Sequence, residues 1–438
     1  MPRSSRHVPY YAVSIVVNGP RAGCFLSARN CASLVGILAA GSRKCGKPPQ
    51  ACPVPWHINC QPGCVAPSIE EARMTLPTEP LRFDASFETP EPDEAATIQE
   101  LGATLMKISN KTYEDSGRAL RSVHAKSHGI INGELTVLPG LPETLAQGMF
   151  AKPGVYPVVM RLSTTPGDIL DDNVSTPRGL ALKVIGVDGP RLPGSEGEAS
   201  QDFVFVNGPA FNSPNIKGFL RSLKLLAATT DQSEGLKKGL SAALRGVETL
   251  IEKAGGKSPT LVALGGHPET HILGETFYSQ VPMLYGPYVV KVMVAPISTG
   301  LVALKNSPLD MTDKPNALRE AVSDYFASAG AEWELRVQFM TNLETTPIED
   351  ASKIWDEQET PFIPVARISA PSQPTFSAQT NDASDHQLAF SPWHGLAAHR
   401  PLGSIQRARK SAYDMSKRFR ASRPETLSTD AEAARETV

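Results

Sequence analysis

Regular alternation of apolar and polar positions begins near residue 79 and continues to about residue 420. "AATIQELGATLMKISNKTYE" (95–114) has apolar residues at helical spacing and reads as an amphipathic helix. β-rich runs follow at 122–137, 155–164, 179–187 and 202–207. Helical patterns then occupy 215–228 and 235–253, and strand signal returns at 288–297. "KPNALREAVSDYFASAG" (314–330) predicts a helix ending at Gly330. In "EWELRVQFM" (332–340) Trp333, Leu335, Val337 and Phe339 alternate with Glu334, Arg336 and Gln338, the signature of a half-buried strand. The final periodic segment is "GSIQRARKSAYDMSKRFR" (403–420). Its Ile405, Ala408, Ala412, Met415 and Phe419 form one narrow apolar stripe, with Ser404 as the expected N-cap. Strands cluster before and after a helical insert instead of alternating with helices. That order predicts an α+β fold, an antiparallel sheet or barrel with surrounding and inserted helices.

Composition changes the picture at the N-terminus. All six cysteines, from Cys24 to Cys64, fall in the first 64 of 438 residues, in an Arg- and Pro-rich stretch with few periodic patterns. Residues 1–78 are expected to be an N-terminal extension, disordered or targeting, with Met74 as an alternative start; 79–420 form one domain and 421–438 a flexible tail. Cys60 and Cys64 have no second Cys/His couple at zinc-site distance. A net charge of −2 gives no electrostatic case for nucleic acid, and no run of about twenty apolar residues predicts a membrane span. The expected compartment is the cytoplasm, or an organelle if the extension is a transit peptide.

Candidate chemistry lies in four places. In "RSVHAKSHG" (121–129) an extended chain would put Ser122, His124 and Lys126 on one face and Val123 and Ala125 on the other. His124 and His128, like His267 and His271, have zinc-like spacing, but glycine, β-branched or proline neighbours disfavour the helix such a site needs. In "PVVMRLSTTPGD" (157–168) Arg161 and Ser163 share a strand face, and "TPRGLALKV" (176–184) is a turn entering a buried strand. Arg409 and Tyr413, one helical turn apart, flank the stripe of the last helix; by themselves they read as a surface cation–π pair.

Taken in order, these pieces resemble the haem catalase family, as a small divergent catalase-like haem-binding branch. "RSVHAKSHG" resembles the family's distal segment. "VVMRLSTTPGD…DDNVSTPRGLALKV" is similar to its R-F-S-T…D-P-R-G-F-A-V-K-F run. "FSPWHGLAAHRPLGSIQRARKSAY" (390–413) resembles the stretch ending in R-x-x-x-Y. The resemblance implies a catalase-like antiparallel β-barrel binding haem b. Tyr413 is then the ligand of ferric iron and Arg409 supports its phenolate. His124 is the distal acid–base residue and Ser163 its partner, Arg121 and Arg161 pair with the propionates, and Val123 narrows access. The implied function is catalase- or peroxidase-type cleavage of hydrogen peroxide or an organic hydroperoxide. Alternatives are hydroperoxide rearrangement, peroxide-driven oxidative decarboxylation or oxygenation of an organic acid in a biosynthetic pathway, and non-catalytic haem binding.

The sequence departs from the family at the distal amide. The register aligning "EASQDFVFVNGPAFNSPN" (198–215) puts Ser200 where an Asn is expected, with Asn207 at the other end of the strand. Leu162, Phe203, Phe205 and Phe211 are candidates to line a pocket for a larger substrate, or ordinary core.

Overall fold

The computed structural model describes residues 79–229, 267–376 and 388–423, all within the unit that begins at Pro67. The expected extension (1–78), the helical pattern at 235–253 and most of the 369–387 crossing segment lie outside the described residues.

Nine strands are described: β1 (Ser127–Val137), β2 (Val155–Thr164), β3 (Arg178–Ile185), β4 (Ser200–Val206), β5 (Phe277–Tyr278), β6 (Met283–Tyr285), β7 (Tyr288–Pro296), β8 (Ala331–Phe339) and β9 (Ile363–Ala370). Every pairing is antiparallel, and β5 bonds to both β4 and β7. The ring β1-β2-β3-β4-β5-β7-β8-β9 is thereby closed, with β6 as a hairpin partner of β7. The result is an eight-stranded antiparallel barrel with helices, the expected α+β class. Closure leaves no unpaired edge around the ring.

Alternation along the strands fills the interior. Ile131, Leu135, Met160, Leu182, Leu335 and Val337, from four strands, are all buried in one apolar cluster. In β8 the expected apolar face, Trp333, Leu335, Val337 and Phe339, is buried, but so is Glu334 of the face expected to be polar. Gln338, expected on the polar face, is also buried and donates to the carbonyls of Trp355 and Thr360. A segment packed outside the barrel thus covers that face, which the strand pattern alone does not show.

Three helices form a second cluster: α1 (Glu94–Ser116), α2 (Ile216–Thr229) and, beyond the short α3 (Thr299–Ala303) and α4 (Ala317–Phe326), the long α5 (Ser404–Ala421). Leu101, Leu105 and Ile108 of α1 meet Ile216 and Leu220 of α2 and Ile405 and Ala408 of α5. The α5 stripe behaves as expected, with Ala412 and Met415 packed against the same cluster. Among the described residues no helix is long and apolar enough to cross a membrane.

Three expectations need correction. Ser404 is the first residue of α5 and not its cap: Gly403, at φ 85°, holds the cap position, where a Cβ would press on the Ile348 carbonyl. Remote carboxylates do the capping, with Gly403 N donating to Glu88 (3.0 Å) and Ser404 N to Glu349 (2.9 Å). The helix expected over 314–330 runs only from Ala317 to Phe326, and a turn follows before Gly330. Residues 122–126 are not extended. His124 sits at φ 55°, so the two-faced strand reading fails there. Lys126 turns away into a buried ion pair with Asp172 (2.7 Å).

Arg407 ties α5 to its surroundings. Its guanidinium donates to Glu94 of α1 at 2.6 and 2.7 Å, to Glu349 at 2.9 and 3.0 Å, and to Glu88 at 2.9 Å. Removing it leaves Glu94 and Glu349 without their counter-charge and Glu88 with Arg400 alone. Arg407→Ala is therefore expected to lower unfolding free energy by about 3 kcal/mol, read from the urea midpoint; an unchanged midpoint would show the cluster to be ornamental.

Candidate functional site

The outward face of three barrel strands forms one wall of a cleft. Two cross-strand rows run over it: Ser163–Gly179–Val206 and Arg161–Ala181–Val204. The central strand contributes only a hydrogen and a methyl group, so the wall is flat in its middle. The inward neighbours Leu162, Leu180 and Phe205 keep the barrel core filled behind it. The opposite wall is α5 with the loop before it, including Phe390, His394, Arg409 and Tyr413. Between them lies about 980 Å³ of empty space, the open mouth included.

All seven residues expected at the site, Arg121, Val123, His124, Arg161, Ser163, Arg409 and Tyr413, line this one cleft. Of the apolar candidates, Leu162, Phe203 and Phe205 all belong to the barrel core, Phe205 also bordering the cleft, and Phe211 packs in the helical cluster beneath Arg409.

His124 is positioned by its backbone as much as by its ring. Arg161 donates to the carbonyls of His124 (3.0 Å) and Ala125 (3.2 Å), while His124 N and Ala125 N donate to the Thr165 and Pro166 carbonyls. These bonds hold a conformation that side-chain-bearing residues seldom adopt. The ring then rests on β3: its Nδ1 lies 3.1 Å from Ser163 Oγ, and a Cβ at Gly179 would come within 2.5 Å of that nitrogen. The turn also touches both neighbouring helices, since Ser122 Oγ hydrogen-bonds Ser109 Oγ of α1 (2.9 Å) and Ser122 N donates to Ser416 Oγ of α5 (3.3 Å).

The electrostatics are one-sided. Burial, and then the charges of Arg161, Arg409 and Arg121, push the His124 pKa down to about 3. Its imidazole is neutral at physiological pH. Burial also works against the Arg409 charge, while Tyr413 works in its favour. The Tyr413 hydroxyl has no hydrogen-bond partner among the described residues. His128, by contrast, is a core residue whose Nε2 lies 3.3 Å from Thr164 Oγ1. Among the described residues no cluster of three His, Cys, Asp or Glu could hold a metal ion.

Neither distal amide candidate reaches the cleft. Ser200 Oγ accepts from Lys183 (3.3 Å), and Asn207 is engaged with Arg178, His267 and Glu275 on another side of β4. Among the described residues no Asn or Gln lines the cleft. Lys417 and Arg420 do line it, and sequence reasoning passed them over. Their signal was available, since they follow Tyr413 by four and seven positions and so share its helix face. His394, in "FSPWH", also lines the cleft, and the sequence assigns it no role.

The donor set and shape fit a haem. A flat wall faces a helix bearing a free phenol, with apolar lining from Val204, Val206, Phe390 and Ala412 and guanidinium groups suited to carboxylates. Tyr413 and Arg409 would hold the iron side, and Arg121, with Arg161, the propionate side.

Two outcomes test the wall. Gly179→Ala is expected to displace the His124 ring and cost about 1–3 kcal/mol in stability, measured by denaturation. Buried His124 and His399, whose pKa burial pushes down to about 4, bind no proton in the native state where the unfolded chain already does. Stability should therefore be full above about pH 6.5, the unfolded pKa, and fall as pH drops towards 3. His124→Gln should flatten that decline in urea midpoints between pH 7 and 4; an equally steep decline would contradict the assignment.

No family model matches this sequence, and no curated protein matches it. Among solved structures the chain is similar to a fungal catalase (TM-score 0.49, 19% identity, 71% of this chain and 61% of that one). It is similar also to catalase A from Saccharomyces cerevisiae (0.49, 17%, 71% and 63%) and to a bacterial catalase (0.48, 18%, 83% and 68%). The match spans less than two thirds of the first two chains' own lengths.

Proposed function

We propose that this protein is a haem-dependent oxidoreductase that cleaves the O–O bond of hydrogen peroxide or an organic hydroperoxide and takes the balancing electrons from a second molecule. One observation carries the reading. Segments from opposite ends of the domain, singled out for their resemblance to haem catalases, bring an imidazole with its hydroxyl partner and a phenol with its arginine to the same cleft.

When bound, haem would supply the ferric centre that takes up the peroxide's oxidising equivalents. The chain's own residues would do the rest. The Tyr413 oxygen would serve as the ligand, with Arg409 one helical turn back beside it. With Nδ1–H donating to Ser163, the His124 Nε2 lone pair faces the cleft. It accepts the proton from the inner peroxide oxygen and returns it to the leaving oxygen. The surrounding guanidinium groups keep that nitrogen from holding the proton, which suits a group that must give it back. Such a shuttle is worth roughly 10²–10⁴ in rate. Val123 narrows the approach.

Ser200 has no carboxamide and Asn207 is engaged with His267 and Glu275 away from the cleft, which favours an external electron donor over a second peroxide, hence peroxidase-type over catalase-type turnover. The apolar lining favours an organic hydroperoxide as an alternative substrate. Haem-loaded protein given hydrogen peroxide and a dye donor is expected to oxidise the dye with little oxygen release. Vigorous oxygen evolution would assign catalase activity instead, and consumption of a lipid hydroperoxide without donor would assign rearrangement. His124→Gln should slow peroxide consumption by about 10²–10⁴. Tyr413→Phe should lose the ferric phenolate spectrum; an unaltered Soret band would remove the ligand assignment, and failure of the native chain to take up haem would remove the whole reading.

A further inference from the structure

The cleft has a second imidazole. His394 lines the wall that carries Tyr413, and its surroundings differ sharply from those of His124. Three guanidinium groups bear on His124, whereas a carboxylate stands behind His394: Asp202 Oδ2 lies 3.5 Å from its Nδ1. That carboxylate is fixed. Lys183 Nζ donates to its two oxygens at 2.7 and 2.9 Å, and Ser391 N donates to Oδ2 at 3.0 Å. The backbone is fixed as well, because His394 N donates to Ser391 O (3.0 Å) and Asp202 N donates to His394 O (2.9 Å).

His394 Nδ1 is buried and has no hydrogen-bond partner in the structure. At 3.5 Å the Asp202 contact is longer than a formed bond, yet it decides the tautomer. A lone pair turned to a carboxylate is repelled, whereas an N–H turned to it is attracted. Nδ1 therefore carries the proton. Nε2, on the other edge of the ring, carries the lone pair, and the residue lines the cleft with its Nδ1 buried. Lys183 balances the carboxylate, so Asp202 sets the tautomer within a compensated pair.

We propose that His394, with its tautomer set by Asp202, is a specificity-determining acceptor of this cleft, selecting a second substrate that presents an O–H group to its Nε2. It rests on the preceding functional reading only in taking this cleft as the reaction site. The ligand class follows from the chemistry present: an acceptor nitrogen beside the apolar surfaces of Phe390 and Ala412 suits a hydroxylated aromatic or similar hydroxylic donor.

The test uses the protein as purified, with phenol and anisole as probes that share the ring and oxygen and differ in O–H against O–CH3, and with toluene as a control for the added methyl group. Calorimetric titration should show phenol binding roughly fivefold tighter than anisole, the worth of one ordinary hydrogen bond. That preference should vanish in His394→Leu and return in part in His394→Gln, whose amide oxygen also accepts. In parallel, nitrogen NMR of histidine-labelled protein should show a Nδ1–H tautomer signal that disappears in His394→Leu. Equal affinity for the two probes, no binding of either, or a Nε2–H tautomer at His394 overturns the proposal. Haem uptake is read separately from the Soret band, so failure of the cofactor reading and failure of this one are distinct results.

Discussion

The cleft exists because α5 is held at a fixed distance from a barrel wall, and the Arg407 cluster is the interaction that holds it. One guanidinium gathers carboxylates from three separate segments, the loop before α1, α1 itself and the 340s loop, while two of the same carboxylates cap the helix start. Fork geometry matters here. A lysine could neutralise the charge but could not hold several acceptors in one plane. With the helix start pinned, Arg409 and Tyr413 project one and two turns further along a rigid rod. Their placement is inherited from a contact outside the cleft.

The facing wall is held differently. Barrel closure makes β2, β3 and β4 a stiff surface, and the two rows across it alternate functional and minimal side chains. Arg161 links the two levels of organisation. It belongs to a strand, yet its donors shape the turn that carries His124, and that turn in turn touches α1 and α5 through Ser122. Both walls of the cleft are thereby connected through hydrogen bonds that skirt its end.

Much of this was legible in the sequence where a period governs. The stripe of α5, the apolar face of β8 and the length of β2 follow from 3.6- and 2-residue repeats, and the site residues sat in motifs with strong local identity. What stayed hidden was set by distant partners. The left-handed turn at His124 depends on Arg161; the helix start at Gly403 depends on Glu88 and Glu349. The strand Ile363–Ala370 escaped notice because Pro364 and Arg367 interrupt its pattern, and only its pairing with β1 and β8 defines it. Ser200 and Asn207 fell on strand positions that alternation could not assign to one side without knowing what packs there.

Gly179 and Ala181 have a consequence for selectivity. Where a strand offers no side chains, a guest rests directly on peptide planes, which cannot yield as rotamers can. The space between those planes and the α5 helix then acts as a gauge of thickness. A planar guest would lie closer to those planes than a puckered one of equal area.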